Sequence, residues 1–218
     1  MGLLDVLNEP ETLRQGSRIY GVVVGLVMDN QDPDGLGRVK LRFPWKDDND
    51  ESTWARIATM MAGKDRGSWF LPEVGDEVLV AFDHGDVQHP YVLGALWNGE
   101  DTPSGENSDG QNNIRKIKSR SGHELIFDDT SAAEKVTVKT KAGHTINLDD
   151  TAGGEKIEVK DKTGSNNIVI DSLQNSISIE CAMQLKIKAS MVEIEADSTM
   201  TIKAGAMLTL QGATVKIN

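Results

Sequence analysis

The feature that most constrains this chain is a short motif repeated along its second half: two apolar residues flanking one other residue. It occurs at Leu125/Phe127, Val136/Val138, Ile146/Leu148, Ile157/Val159, Ile168/Ile170, Ile177/Ile179, Leu185/Ile187, Val192/Ile194, Met200/Ile202, Leu208/Leu210 and Val215/Ile217. Side chains alternate along a strand, so each motif reads as a short strand with two residues on one face and mostly polar ones on the other. Successive pairs are 11, 10, 11, 11, 9, 8, 7, 8, 8 and 7 residues apart. If one interval is a strand plus its corner, the falling interval describes a β rod that narrows towards residue 218. At about 4.8 Å per strand, eleven strands give a rod of roughly 50 Å. A coarser repeat overlies the wide end. Gly122, Gly143 and Gly164 are 21 residues apart, His123 and His144 follow the first two, and the Asp pairs at 128–129 and 149–150 recur at the same interval. Such self-similarity marks a repetitive architecture.

Composition divides the chain near residue 100. All four Trp and both Tyr lie before residue 98, after which Phe127 is the only aromatic; no Pro follows Pro103. A stretch without Pro and nearly without aromatics suits a long hydrogen-bonded ladder better than an ordinary core. The net charge of −11 argues against nucleic acid binding, which relies on cationic contacts to phosphate. The single cysteine, Cys181, allows neither an intrachain disulfide nor a thiolate metal cluster. The opening MGLLDVLNEP carries Asp5 in its short apolar stretch and no basic region, so it is not read as a signal peptide. It reads as an amphipathic segment whose Leu3, Leu4 and Leu7 dock on a neighbour or on the chain itself.

The first half reads as five strands. Residues 19–28 are apolar on both faces, 38–43 alternate, and further strands are expected at 54–58, 76–82 and 91–97. Asp32-Pro33-Asp34-Gly35 and Asp83-His84-Gly85-Asp86 read as turns. Five strands in about 80 residues without a convincing helix suggest a small barrel of the OB type. A barrel hides one face of each strand, so the two-faced apolar pattern of the first and last strands asks for a neighbouring subunit.

The runs DPDGLGRVKLRFPW (32–45), STWARIA (52–58) and FLPEVGDEVLVAFDHGDVQHPYVLGALWNG (70–99) resemble the OB domain of the phage baseplate assembly protein V and VgrG spike family. The resemblance implies an all-β fold: an OB-fold barrel followed by a tapering intertwined trimeric β-helix, the needle. The expected divisions are a docking segment at 1–17, the barrel at 18–98, a polar linker at 99–114 and the β-helical spike at 115–218. The implied function is that of a structural central spike of a contractile tail or injection machine, linking the baseplate hub to a membrane-piercing tip. The implied partners are two further copies of the chain, a separate hub protein, a PAAR-like tip protein and, transiently, the target cell envelope. The particle is the implied location, without a signal peptide, and no cofactor, metal or catalytic residue is implied. Val136, Val138, Ile157, Val159, Ile187, Ile194, Ile202 and Leu210 are expected in the needle core, and Val215, Lys216, Ile217 and Asn218 at the tip-protein contact.

Several polar groups suggest chemistry and have simpler readings. Asp83, His84 and Asp86, like Asp32 and Asp34, fall on turns. The paired Asp residues at 128–129 and 149–150 would suit a carbohydrate-cleaving or carbohydrate-binding β-helical tail protein, the alternative function. Their recurrence with the repeat favours structural corners, and His123 and His144 read as corner or ladder residues.

Overall fold

A computed structural model describes residues 18–46 and 51–217. The expected docking segment at 1–17 and the tip residue Asn218 lie outside the described residues. The chain divides between Ser108 and Asp109 into two units. No helix occurs among the described residues, in keeping with an all-β chain.

The first unit is built on a five-stranded sheet. Its strands are β1 (Val23–Asp29), β2 (Lys40–Arg42), β3 (Arg56–Ile57), β6 (Glu77–Asp83) and β7 (Asp86–Ala95), in the order β2-β1-β6-β7-β3. All neighbours are antiparallel except β3 and β7, which run parallel. The sequence of β6, EVLVAFD, shows why it forms: Val78, Val80 and Phe82 point into the core and Leu79 and Ala81 point away. With Val27, Val39, Leu41, Phe43, Ala55 and Val92 they make one buried cluster. Each fully buried large side chain contributes about 1.5–3 kcal/mol. The β6–β7 link is a two-residue reversal with positive φ at both His84 (47°) and Gly85 (78°). That backbone matches the twist of a tight hairpin. A small hairpin of β4 (Ala62–Gly63) and β5 (Arg66–Gly67) extends from the barrel. The sequence reading did not anticipate it, because AGKDRG has no apolar alternation.

The loop after β1 is held by one carboxylate. Asp32 accepts hydrogen bonds from the backbone N–H groups of Asp34, Leu36 and Arg38, and from Nε and Nη2 of Arg38 at 2.8 and 2.7 Å. Its side chain is only 3% exposed. The Arg38 guanidinium first, and the backbone N–H groups with it, hold the Asp32 carboxyl well below the usual carboxylate range, against the opposing effect of burial. Arg38 also reaches Asp34 at 2.6 Å. Asp32 and Asp34 thus anchor a turn.

The second unit begins with β8 (Ile114–Lys118), β9 (Glu124–Asp128), β10 (Lys135–Lys139), β11 (Thr145–Asp149), β12 (Lys156–Lys160), β13 (Asn167–Asp171) and β14 (Ser176–Glu180). They form one antiparallel meander in chain order. The expected pairs from Leu125/Phe127 to Ile177/Ile179 each occupy the second and fourth positions of a five-residue strand. The interleaved reading placed every ladder partner in another copy; for these strands the partner is the next strand of the same chain. The reason is local. Each reversal contains one residue in the left-handed region: Gly122 (φ 95°), Ala132 (63°), Gly143 (98°), Gly153 (75°), Gly164 (73°) and Asn175 (51°). Such a residue lets four to six connecting residues turn the chain back on itself. Residues 181–217 are exposed and lie outside any strand. The pairs at 185/187, 192/194, 200/202, 208/210 and 215/217 therefore have no ladder partner within the chain.

Candidate assembly surface

The register of the meander gathers the apolar pairs into two columns on one face. One column runs Ile117, Leu125, Val138, Ile146, Val159, Ile168, Ile179. The other runs Phe127, Val136, Leu148, Ile157, Ile170, Ile177, and Arg115 begins it beside Phe127. Directly opposed side chains on one face of a sheet are the unit of sheet stabilisation. Yet this face lies open. In β11, β12 and β13 the apolar second and fourth residues are exposed while the first, third and fifth, all polar except Val169, are half-buried. Water covers the side that an ordinary globular protein would bury, and an apolar surface of this extent marks a contact.

The opposite face explains how its polar residues are held. Lys118 pairs with Glu124 at 3.5 Å and Lys135 with Asp128 at 3.7 Å, both across neighbouring strands. The Thr137 hydroxyl donates to Asn147 Oδ1 at 2.9 Å. Exposed pairs of this kind are weak singly, at about 0–1 kcal/mol, but they keep charge on this face and off the other.

The corners account for the recurrent polar motifs. His123 Nδ1 accepts the N–H of Lys141 at 3.3 Å, and His144 Nδ1 accepts that of Lys162 at 3.2 Å. Each ring thus joins its own corner to the next corner on the same end of the sheet. Asp128 and Asp149 accept both the hydroxyl and the backbone N–H of Thr130 and Thr151. The Thr130 and Thr151 hydroxyls are the leading reason that both carboxyls sit below their usual range. At Asp161, burial works against ionisation, but hydrogen bonds from Asn166 and Thr163 hold the carboxyl down to about 2. A catalytic pair needs one carboxyl poised to hold a proton; these are ionised caps. Among the described residues no group of three or more His, Cys, Asp or Glu side chains is arranged to hold a metal ion.

Of the eight expected core residues, Val136, Val138, Ile157 and Val159 lie in the two columns. Ile187, Ile194, Ile202 and Leu210 follow in the unpaired segment, 64–71% exposed. Val215, Lys216 and Ile217 are exposed at the end of the described chain. The structure also shows a second open apolar surface. Val22 and Val24 of the first strand region, and Leu93 of β7, point away from the barrel core and are exposed. Leu79 lies between, directly opposite both Val24 and Gly94. The two-faced apolar pattern of the first strand was read in the sequence; the contribution of β6 was not, although its unbroken apolar run Val78–Phe82 likewise puts Leu79 and Ala81 on the outward face.

Residues 23–97 match the family described as the type VI secretion system/phage-baseplate injector OB domain. The chain is 30% identical over 146 residues to the type VI secretion system spike protein VgrG1b of Pseudomonas aeruginosa, covering 62% of this chain and 19% of that protein. It is 38% identical over 85 residues to VgrG1c of the same organism, covering 37% of this chain and 12% of that protein. It is 32% identical over 111 residues to the spike protein VgrG3 of Vibrio cholerae, covering 47% and 11%. The chain thus spans less than a fifth of the length of these curated relatives.

Proposed function

We propose that this chain, whose residues 23–97 match the OB-domain family of type VI secretion and phage-baseplate injectors, is a structural central spike of a contractile tail or injection machine. The observation that carries the proposal is the two-column apolar face of the meander, which in β11–β13 is open to water while the opposite, mostly polar face is half-buried. Three copies, each presenting such a face to a common axis, enclose a dry triangular interior and leave Lys, Glu, Asp and Thr outside. The same association gives the unpaired strands of 181–217 the ladder partners they lack. The open patch of Val22, Val24 and Leu93 on the barrel is available to a neighbouring copy or to a separate hub protein.

The role is mechanical. A rod whose strands are bonded rung to rung resists axial load because no rung can open without its neighbours. A charged exterior keeps it from adhering to itself. Val215, Lys216, Ile217 and Asn218 are the contact for a small tip protein of the PAAR type, and the target cell envelope is met only in passage. The chain acts by its shape and assembly, without catalysis.

The test is the composition of the particle. Contractile particles purified from the producing cell should contain this chain at three copies per tail, and deleting its gene should leave particles unable to puncture. Intact, infective or bactericidal particles lacking the chain contradict the proposal.

A further inference from the structure

We infer that the open outer face of the barrel sheet is covered by the chain's own residues 1–17: Leu3, Leu4, Val6 and Leu7 lie on its apolar centre, and Asp5, Glu9 and Glu11 meet the arginines at its margin. A neighbouring copy or a hub protein on this face is an outcome of the test. The cover belongs to one copy and does not depend on how many copies assemble.

Three central strands build the face. Gly25 and Val27 of β1 are buried against the core, so Val22, Val24, Leu26 and Met28 face outward. Leu79 of β6 lies directly opposite Val24 and Gly94, and Ala81 lies opposite Tyr91. Directly opposed residues share a face, so these rows join into one apolar surface. Val22, Val24, Met28 and Leu93 within it are exposed. Such a surface marks a contact.

The point of entry singles out the cover. The Ile19 N–H donates to the Gly85 carbonyl at 2.9 Å, and Arg18 bridges to Asp86. A Cβ at Gly85 would come within 3.2–3.3 Å of Arg18, Ile19 and Tyr20, so the chain is packed closely against the β6–β7 reversal. It then runs straight into Val22 and Val24. Residues 1–17 are thus tethered at the margin of the face, and Leu7, 11 positions before Arg18, reaches at most roughly 36 Å from it. A short tether holds a segment at an effective concentration in the millimolar range, which no free partner has. The barrel's other exposed apolar group, Met60, Met61, Trp69 and Phe70, belongs to the β4–β5 hairpin region. Trp69 there packs over Gly37, in the loop that follows β1, at the far end of that strand from the entry.

Charge agrees with position. Arg56 lies opposite Tyr91 with its guanidinium over that ring at 5.7 Å, and flanks the face on the β3 side. Arg42, opposite Leu26, flanks it on the β2 side. Arg18 stands at the entry, its Nη1 3.4 Å from the Tyr20 hydroxyl. Glu77, also opposite Leu26, is a carboxylate on the same row. Residues 1–17 carry three carboxylates, Asp5, Glu9 and Glu11, against one guanidinium, Arg14. An acidic apolar segment matches an apolar face with a cationic margin, and such complementarity fixes orientation and suppresses wrong pairings.

Cross-linking of the full chain tests this. In a Cys181→Ser background, Leu7→Cys combined with Val24→Cys and treated with a short bismaleimide should form an internal link, leaving the denatured mass that of one chain. Leu7→Cys combined with Met61→Cys should not link. Links between two chains in the first pair, equal linking in both pairs, or no link at all overturn the cover. Hydroxyl-radical footprinting gives a second reading, with variants that leave the described barrel residues untouched. Leu3→Asp, Leu4→Asp and Leu7→Asp made together should raise the labelling of Tyr20 and Met28 several-fold and leave Met60 unchanged. Asp5→Lys, Glu9→Lys and Glu11→Lys made together should move Met28 in the same direction. Labelling of Met28 equal to wild type in both variants, or protection of Met28 only when a co-expressed hub protein is bound, gives the face to another occupant and overturns the inference.

Discussion

Ile157 of β12 lies directly opposite Ile170 of β13, and both remain about 40% exposed, at 41% and 39%. Glu158, between Ile157 and Val159 on the other face, has a side chain only 13% exposed. An isoleucine more exposed than its neighbouring glutamate is out of place in a self-contained domain and in place at an axis shared by several copies. Putting Asp at 157 would bury one like charge per copy, and isolated buried charge is severely penalised. Ile157→Asp should abolish assembly as read by size exclusion, while Glu158→Gln should assemble as wild type. Normal elution of Ile157→Asp would show that this face does not meet the axis.

The reversals are testable one at a time. A Cβ at Gly143 meets only Lys162 atoms at 3.7 and 3.9 Å, which is ordinary contact, so the cost of Gly143→Ala comes from φ 98° alone. Left-handed backbone costs an L-residue about 1–2 kcal/mol. The variant should assemble but melt several degrees lower by circular dichroism, and Ala142→Ser beside it should not.

Much of this was legible in the sequence, and the gaps have physical causes. Leu125/Phe127 through Ile177/Ile179 all fall on strands, because a two-residue apolar face has few other uses. The turn at Asp83–Asp86 was legible from its Gly and Asp residues. Which strand each pair bonds to was not, since Ile146 and Leu148 would look the same in a hairpin and in an intertwined solenoid. The distinguishing residues sit in the corners: Gly143 and Gly164 were read as repeat markers, Asn175 was not read as the left-handed turn residue its type allows, and Ala132 carries no turn signal. The Asp32–Arg38 clamp was missed because it joins two loop residues with no periodicity between them.

Acid should loosen both units through depressed carboxylates. For Asp32, held down chiefly by Arg38, and for Asp161, at about 2, the folded value lies below the unfolded one. Their stabilisation is therefore full above the unfolded carboxylate range near pH 4 and is lost as pH falls below it. Melting temperature should drop between pH 4 and pH 2. Asp32→Asn should lower stability at pH 7 and flatten the part of this acid dependence that belongs to the barrel. An unchanged acid profile in Asp32→Asn would remove Asp32 from the account.

The C-terminal residues carry the tip contact in this account. Deleting 214–218 should release a co-expressed tip protein in a pull-down while the mass of the assembly stays that of the trimer. A truncated assembly that still retains the tip protein would place the contact elsewhere.

The central claim is that the open apolar face of β8–β14 is covered by two further copies of the same chain. Light scattering coupled to size exclusion at micromolar concentration measures this directly. The account predicts a single species of three times 23.7 kDa. A folded species of 23.7 kDa, with its β signal intact by circular dichroism, would contradict it.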